Sequence, residues 1–253
     1  MTDLRFSDAH LHLTSGIPDD AYPDLGRAEL IGSCTSSCGE WNSLKRVEDP
    51  RVRRFYGVHP WHPEEWTRDT ADRLVSLLEE DPRAGVGEIG LDSRHGDMDD
   101  QIGPFTEQLR IASEMNRRVT IHMVRSEETV LRILRKERGN CGPVILHSFN
   151  GPESYIRPFA EAGCMFSISP RFLSKPEGRA RDILSAIPGD RLLVETDAPF
   201  TPGDFRGMSG FLERISYILG ESLEELSSLT TYNARRALDE RGHQHQDGDP
   251  HRR

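Results

Sequence analysis

The chain has 253 residues, 35% hydrophobic and 29% charged, which fits one large soluble domain such as an α/β barrel, or two small ones. No apolar run approaches the ~18 residues that a bilayer span needs, and MTDLRFSDAH lacks the basic-then-apolar order of a signal peptide. A net charge of −10 argues against broad nonspecific binding of nucleic acid, but it leaves room for an enzyme that cuts it, because bound cations reverse the field locally.

The first apolar run, LRFSDAHL, carries His10 next to its end, and His12 follows it directly. Alternate residues of a strand share a face, so both imidazoles point to the place where Thr14-Ser15-Gly16 breaks the strand. They can grip one metal ion together, or they can be an ordinary pair of core or surface histidines. Seven further runs follow: AELIGSCT, RRFYGVHP, RAGVGEIGL, RRVTIHM, GPVILHS, GCMFSIS and RLLVETD. Most are apolar on successive residues, as in strands buried on both faces of a parallel sheet.

Helical patterns lie between most of the runs. TRDTADRLVSLLEED sets Leu74, Leu77 and Leu78 on one face, with Thr67 or Asp69 as its cap. PFTEQLRIASEMN starts at Pro104 and aligns Phe105, Leu109, Ala112 and Met115. SEETVLRILRKERG has Ser126 as cap and Gly139 as stop. GPESYIRPFAEAG, EGRARDILSAIPG, MSGFLERISYILG and SLEELSSLTTYNARRALDE complete the set. Eight strands alternating with helices predict a single-domain (β/α)8 TIM barrel over residues 1–241, with a doubly wound open sheet as the alternative. The tail 242–253 is polar and turn-rich and is expected to be disordered. Its His243, His245 and His251 read as solvated, or as a weak metal site.

Cys34, Cys38, Cys141 and Cys164 form no CxxC pair, and no second Cys/His pair at finger spacing follows Cys34 and Cys38. Scattered thiols suit a reducing cytoplasm, and a monomer with no membrane partner is expected.

Barrel chemistry sits where strands end. There the sequence places His10 and His12, His59, Glu88, His122, His147 and Glu195-Thr196-Asp197. Any one of these is easily a satisfied core residue. Together they are costly in an apolar mouth unless they are paired or bind a cation, and mixed imidazole and carboxylate groups suit one or two divalent metals. Two metals about 3.5–4 Å apart can share a carboxylate and activate a water. Glu88 is the natural bridge, and Asp197 can bind one metal and take the proton of the attacking water.

With these residues the chain resembles the TatD family of metal-dependent hydrolases, part of the amidohydrolase-like barrel group. The resemblance runs from about Asp8 to Leu238. It rests on D-A-H-L-H at 8–12, G-V-H-P at 57–60, G-E-I-G-L-D at 87–92, Gln101, Phe105, Gln108-Leu109, I-H at 121–122, H-S-F-N-G at 147–151, L-L-V-E-T-D-A-P-F at 192–200, Asn233 and Arg236. It implies a first metal on His10, His12 and Asp197 with Glu88 bridging, and a second on Glu88, His122 and His147. It implies Mg²⁺, Mn²⁺ or Zn²⁺, hydrolysis of phosphodiester bonds in DNA, single-stranded or at 3′ ends, and a phosphate contact by His59. The chain departs from the family pattern at Val124, where an arginine is usual and Arg125 comes one residue late, at Trp61-His62 after G-V-H-P, and at Arg118 in place of a proline.

Other residues read two ways. Trp61 and Trp66 form a base-stacking surface or cap the barrel rim. Arg171, Lys175 and Arg179 contact a phosphate backbone or belong to a solvated loop. Glu195 is expected to hold a ligand or a helix end, with direct metal ligation as the alternative, Asp92 to orient a loop or a histidine, and Asp8 to be structural. The competing functions are hydrolysis of a small amide or ester, including an aminoacyl ester, on the same metals, and a non-catalytic, metal-stabilised binding module.

Overall fold

Every expected apolar run forms a strand. The computed structural model describes residues 4–15, 22, 24–201 and 207–239. Its strands are β1 (Phe6–Leu11), β2 (Ala28–Cys34), β3 (Val52–Tyr56), β4 (Gly85–Asp92), β5 (Val119–Val124), β6 (Val144–Leu146), β7 (Cys164–Ile168) and β8 (Leu192–Val194). They pair in chain order, each ladder parallel. β1, β4, β6, β7 and β8 are buried along their whole length, which explains why their sequences run apolar rather than alternating. The expected single barrel is therefore present, and the open doubly wound sheet is not.

The seam between β8 and β1 is closed beyond the end of β8. Asp197 N–H donates to the His10 carbonyl (3.0 Å) and His12 N–H to the Ala198 carbonyl (2.8 Å). Below them the buried Asp8 carboxylate accepts the N–H groups of His10 (3.1 Å) and Thr196 (3.0 Å) and the Thr196 hydroxyl (2.6 Å). Asp8 thus stands in for the missing ladder, as its structural reading expected. Burial raises its pKa to about 7, against the hydrogen bonds from Thr196 that lower it.

Eight helices surround the sheet among the described residues: α1 (Trp41–Lys45), α2 (Arg68–Glu80), α3 (Met98–Glu114), α4 (Glu127–Glu137), α5 (Ile156–Glu161), α6 (Glu177–Ala186), α7 (Met208–Leu219) and α8 (Leu223–Leu238). Leu74, Leu77 and Leu78 of α2 and Val130, Ile133 and Leu134 of α4 face the core as their spacing predicts. Each fully buried leucine contributes roughly 1.5–3 kcal/mol.

Of three local readings one is resolved and two change. Thr67, not Asp69, caps α2, its hydroxyl accepting Thr70 N–H at 3.2 Å. α3 begins at Met98 under an Asp97 cap and carries Pro104 inside it. Ser126 stands at the start of α4, but its hydroxyl donates to the Leu91 carbonyl (2.8 Å) and ties the helix to β4 instead of capping it. No helix among the described residues is long and apolar enough to cross a membrane. The polar tail 242–253 lies outside the described residues.

Candidate metal centre

β1, β4 and β5 deliver His10, Glu88 and His122 into the barrel mouth, while His12, His59, His147 and Asp197 stand one to three residues past the ends of β1, β3, β6 and β8. The close approach of β5 to β4 depends on Gly90, which pairs with His122 at φ +146°; a Cβ there would come within 1.9 Å of the His122 carbonyl oxygen. No side chain other than hydrogen fits.

Glu88 is at the centre. Its Oε1 lies 2.7 Å from His122 Nδ1, 3.0 Å from His147 Nε2 and 3.3 Å from His59 Nε2. Its Oε2 lies 3.4 Å from Nε2 of both His10 and His12. Those two nitrogens are 3.1 Å apart, and each is 3.8 Å from Asp197 Oδ1. Among the described residues three sets bring ligand atoms within 4.8 Å of one another: His10, Glu88 and His147; His10, His12 and Asp197; His59, Glu88 and His122. His122 and His147, which the family pattern groups with Glu88, meet on the same Glu88 oxygen.

Hydrogen bonds behind the histidines sort them by role. His147 turns Nδ1 to Glu195 Oε1 (3.0 Å), and the same oxygen accepts Ser148 N–H (2.7 Å). His122 turns Nε2 to Asp92 Oδ2 (3.2 Å). A carboxylate on one ring nitrogen fixes the proton there and frees the other lone pair for a metal, here Nε2 of His147 and Nδ1 of His122. His59 is wired the opposite way. Its Nδ1 accepts the Trp61 N–H (3.2 Å), so Nε2 carries the proton. His59 thus presents its Nε2–H to Glu88 Oε1. Burial, opposed by Glu88, pushes its pKa down to about 4, so the ring is neutral.

Burial pushes His10 to about 4 as well, with the His147 charge adding to the effect. Burial raises Asp197 to about 6 against His147, which lowers it. Burial also works against the ionised form of Glu88, yet its electrostatic interaction with the His147, His59 and His10 imidazoles, His147 foremost, holds it well below the usual carboxylate range. Two buried imidazole nitrogens and two carboxylates facing one another at these distances are a poor arrangement for a dry core and a good one for a cation.

The mouth opens into a cavity of about 720 Å³. His59, Trp61 and Arg125 all line it, as do Glu88, His122, His147 and Asp197. Arg125 stands on the rim in the left-handed region, φ 49°. Trp61 is held by its indole N–H, which donates to Asp92 Oδ2 at 2.9 Å. Trp66 is not beside it; its indole donates to Glu107 and its ring packs on the outer core. Of the three basic loop residues only Arg171 lines the cavity, with Nε 3.6 Å from Asp197 Oδ2. Lys175 donates to the Asn150 carbonyl (3.3 Å) and Arg179 pairs with Glu153 (3.8 Å). Sequence reasoning missed Arg94, Glu127 and Ser148, which also line the cavity. Arg94 and Ser148 sit in loops and Glu127 on the first turn of α4, where polarity carries no periodic signal, and only the meeting of strand ends brings them together.

Fold and mouth together define a barrel hydrolase of the amidohydrolase-like kind. The family model described as TatD related DNase matches residues 7–239, and the chain belongs to the TatD family of metal-dependent hydrolases. It is 30% identical over 209 residues to a protein of Erwinia tasmaniensis named 3′-5′ ssDNA/RNA exonuclease TatD, covering 77% of this chain and 81% of that one. It is 31% identical over 196 residues to a Bacillus subtilis protein named uncharacterized metal-dependent hydrolase YabD, covering 72% and 76%. Among solved structures, the TatD homologue YJJV of Escherichia coli K12 superposes with a TM-score of 0.82 at 21% identity, covering 94% of this chain and 99% of that one. A dihydroorotase superposes at 0.63 and 14% identity, over 92% of this chain and 82% of that one, which shows the shared barrel.

Proposed function

We propose that the chain hydrolyses phosphodiester bonds in single-stranded DNA, as an exonuclease working from 3′ ends, with two divalent ions of Mg²⁺, Mn²⁺ or Zn²⁺. The observation that carries this reading is the convergence of His10, His12, His122 and His147 on Glu88 and Asp197. His10, His12 and Asp197 would hold one ion and His122 and His147 the other, with Glu88 available to both. The relatives named as 3′-5′ ssDNA/RNA exonucleases support the choice of substrate.

The bound ions supply Lewis acidity that makes a water acidic near neutral pH and neutralises phosphate charge. The protein supplies the rest. Asp197 accepts the proton of the attacking water as its oxygen bonds to phosphorus. The bond from phosphorus to the leaving sugar oxygen breaks, and that oxygen takes up the proton that Asp197 accepted, which returns the carboxylate to its starting state. The His59 Nε2–H donates to a phosphate oxygen. Arg125 and Arg171, on the loops that follow β5 and β7, give a chain of net charge −10 a local cationic border for the strand. Every proposed ligand comes from one polypeptide, so a monomer suffices, within one domain over residues 1–241. The four unpaired cysteines accord with the cytoplasm.

The test is incubation with end-labelled single-stranded DNA and Mg²⁺ or Mn²⁺, with ions per chain counted by elemental analysis. Release of mononucleotides from the 3′ end is expected. Intact DNA in the presence of metal-loaded protein overturns the reading.

A further inference from the structure

Four large apolar side chains are exposed among the described residues: Trp61, Phe200, Tyr217 and Tyr232. Tyr217 and Tyr232 lie on the outer helices α7 and α8, each under an arginine. Trp61 and Phe200 both line the cavity at the barrel mouth, 45% and 46% exposed.

Neither ring is loose. The Trp61 indole is pinned by its N–H to Asp92, one of its faces is stacked on His95 (centroids 5.0 Å, 25°), and it meets His59 edge-on (4.8 Å, 81°). Phe200 meets His12 edge-on (5.2 Å, 80°). Its backbone is held at both ends: its N–H donates to the Asp197 carbonyl (2.8 Å) and its carbonyl accepts from Arg171 (2.6 Å). Trp61 therefore stands on the His59–His122 side of Glu88, and Phe200 on the His12–Asp197 side.

An immobilised aromatic face open to water has high cost and no structural partner, and it is the element that stacks a base without regard to sequence. Resting on the phosphodiesterase reading, we infer that Trp61 and Phe200 are two nucleobase platforms that bracket the scissile phosphate, one for the nucleotide on each side of it. Asp92 is the positioning residue of the pair's larger member, since one oxygen holds both the Trp61 indole and the His122 ring. The preferred ligand is a dinucleotide unit with both bases present, and the platforms act on any base.

The experiment compares cleavage of a short single strand with versions lacking the base on one or the other side of the cut bond, for the native chain, W61A, W61F and F200A. In the native chain either missing base lowers kcat/KM by about 5- to 150-fold. W61A becomes indifferent to one of the two losses and keeps its response to the other; F200A does the reverse; W61F, which keeps a ring but not the indole N–H, retains base dependence. Equal responses in all four proteins overturn the inference while leaving the hydrolysis intact. A second readout needs no turnover: dAMP added to the metal-loaded protein quenches tryptophan fluorescence, deoxyribose 5-phosphate does not, and W61F loses the response. Quenching without any DNA cleavage sinks the hydrolase reading and keeps the platform. Absence of quenching sinks the platform.

Discussion

His59 and His147 differ by one hydrogen bond, and that bond separates their chemistry. His147 shows a carboxylate to Nδ1, whereas His59 shows a backbone donor to the same atom. The first arrangement leaves a lone pair for a cation; the second leaves a proton for an anion. His59→Ala is therefore expected to keep the native number of ions per chain while lowering kcat/KM about tenfold to a hundredfold. That is the size of one lost hydrogen bond to a charged group, about 1.5–3 kcal/mol. Elemental analysis beside steady-state kinetics decides it, and loss of an ion would make His59 a ligand after all. Glu195 is the converse case. It is buried, touches no cavity-facing atom of a ligand, and acts through the His147 ring and the Ser148 N–H. Glu195→Gln should keep the fold and weaken metal affinity by about 10- to 100-fold. Calorimetric titration with Mn²⁺ reads this directly, and unchanged affinity would reduce Glu195 to a packing role.

At the level of strands and helices, the site is as accurate as the spacing of β4 and β5. Gly90→Ala forces a methyl group against the His122 carbonyl, so the strands must part or the left-handed backbone must change. Either way we expect a loss of at least 1–3 kcal/mol in chemical denaturation, the usual cost of overpacking a tight core, together with weakened metal binding. An alanine protein with native stability would mean that β5 can move freely. Thr67→Ala is the contrasting case: it removes the cap of α2, whose hydroxyl bonds Thr70 and none of the cluster residues, and should cost about 1 kcal/mol with kcat/KM unchanged. The same contrast explains what the sequence discloses. Strands buried on both faces write themselves as apolar runs, and a histidine or acid at the end of such a run is conspicuous. All eight strands and the imidazole–carboxylate cluster were legible for that reason. Helix α1 was not, because five residues are too short for a 3.6-residue period to register. The start of α3 was hidden because proline reads as a first-turn residue, whereas Pro104 stands six positions after Met98. Arg94 reaches the cavity from the loop after β4 and Glu127 from the first turn of α4, and nothing in the sequence separates Arg94 from Lys175 and Arg179, which turn away.

Across the whole molecule, the proposed metal site coincides with the one strand junction that lacks a ladder. Parallel ladders join each strand to the next except at the return from β8 to β1, where two backbone hydrogen bonds and the Asp8 carboxylate do the joining. His10 and His12 lie on one side of that seam and Asp197 on the other, with Glu88 reaching across from β4. A cation held by these groups adds a bond across the seam that the unfolded chain, with its ligands scattered over nearly 190 residues, cannot form. By linkage, an ion present at a hundred times its Kd stabilises the folded chain by about 2.7 kcal/mol. For a domain of this size each kcal/mol moves the midpoint by about 2–4 °C. Stripping the metal with a chelator should therefore lower Tm by about 5–10 °C, and returning Mn²⁺ or Zn²⁺ should restore it. The same treatment of a His12→Ala protein should produce a smaller shift, because one side of the bridge is already gone. Thermal unfolding followed by circular dichroism, with ion content measured on the same samples, checks both. A chain that loses its ions and melts at an unchanged temperature would show that the seam is held by Asp8 and its backbone neighbours alone, and that the cluster serves chemistry without serving the fold.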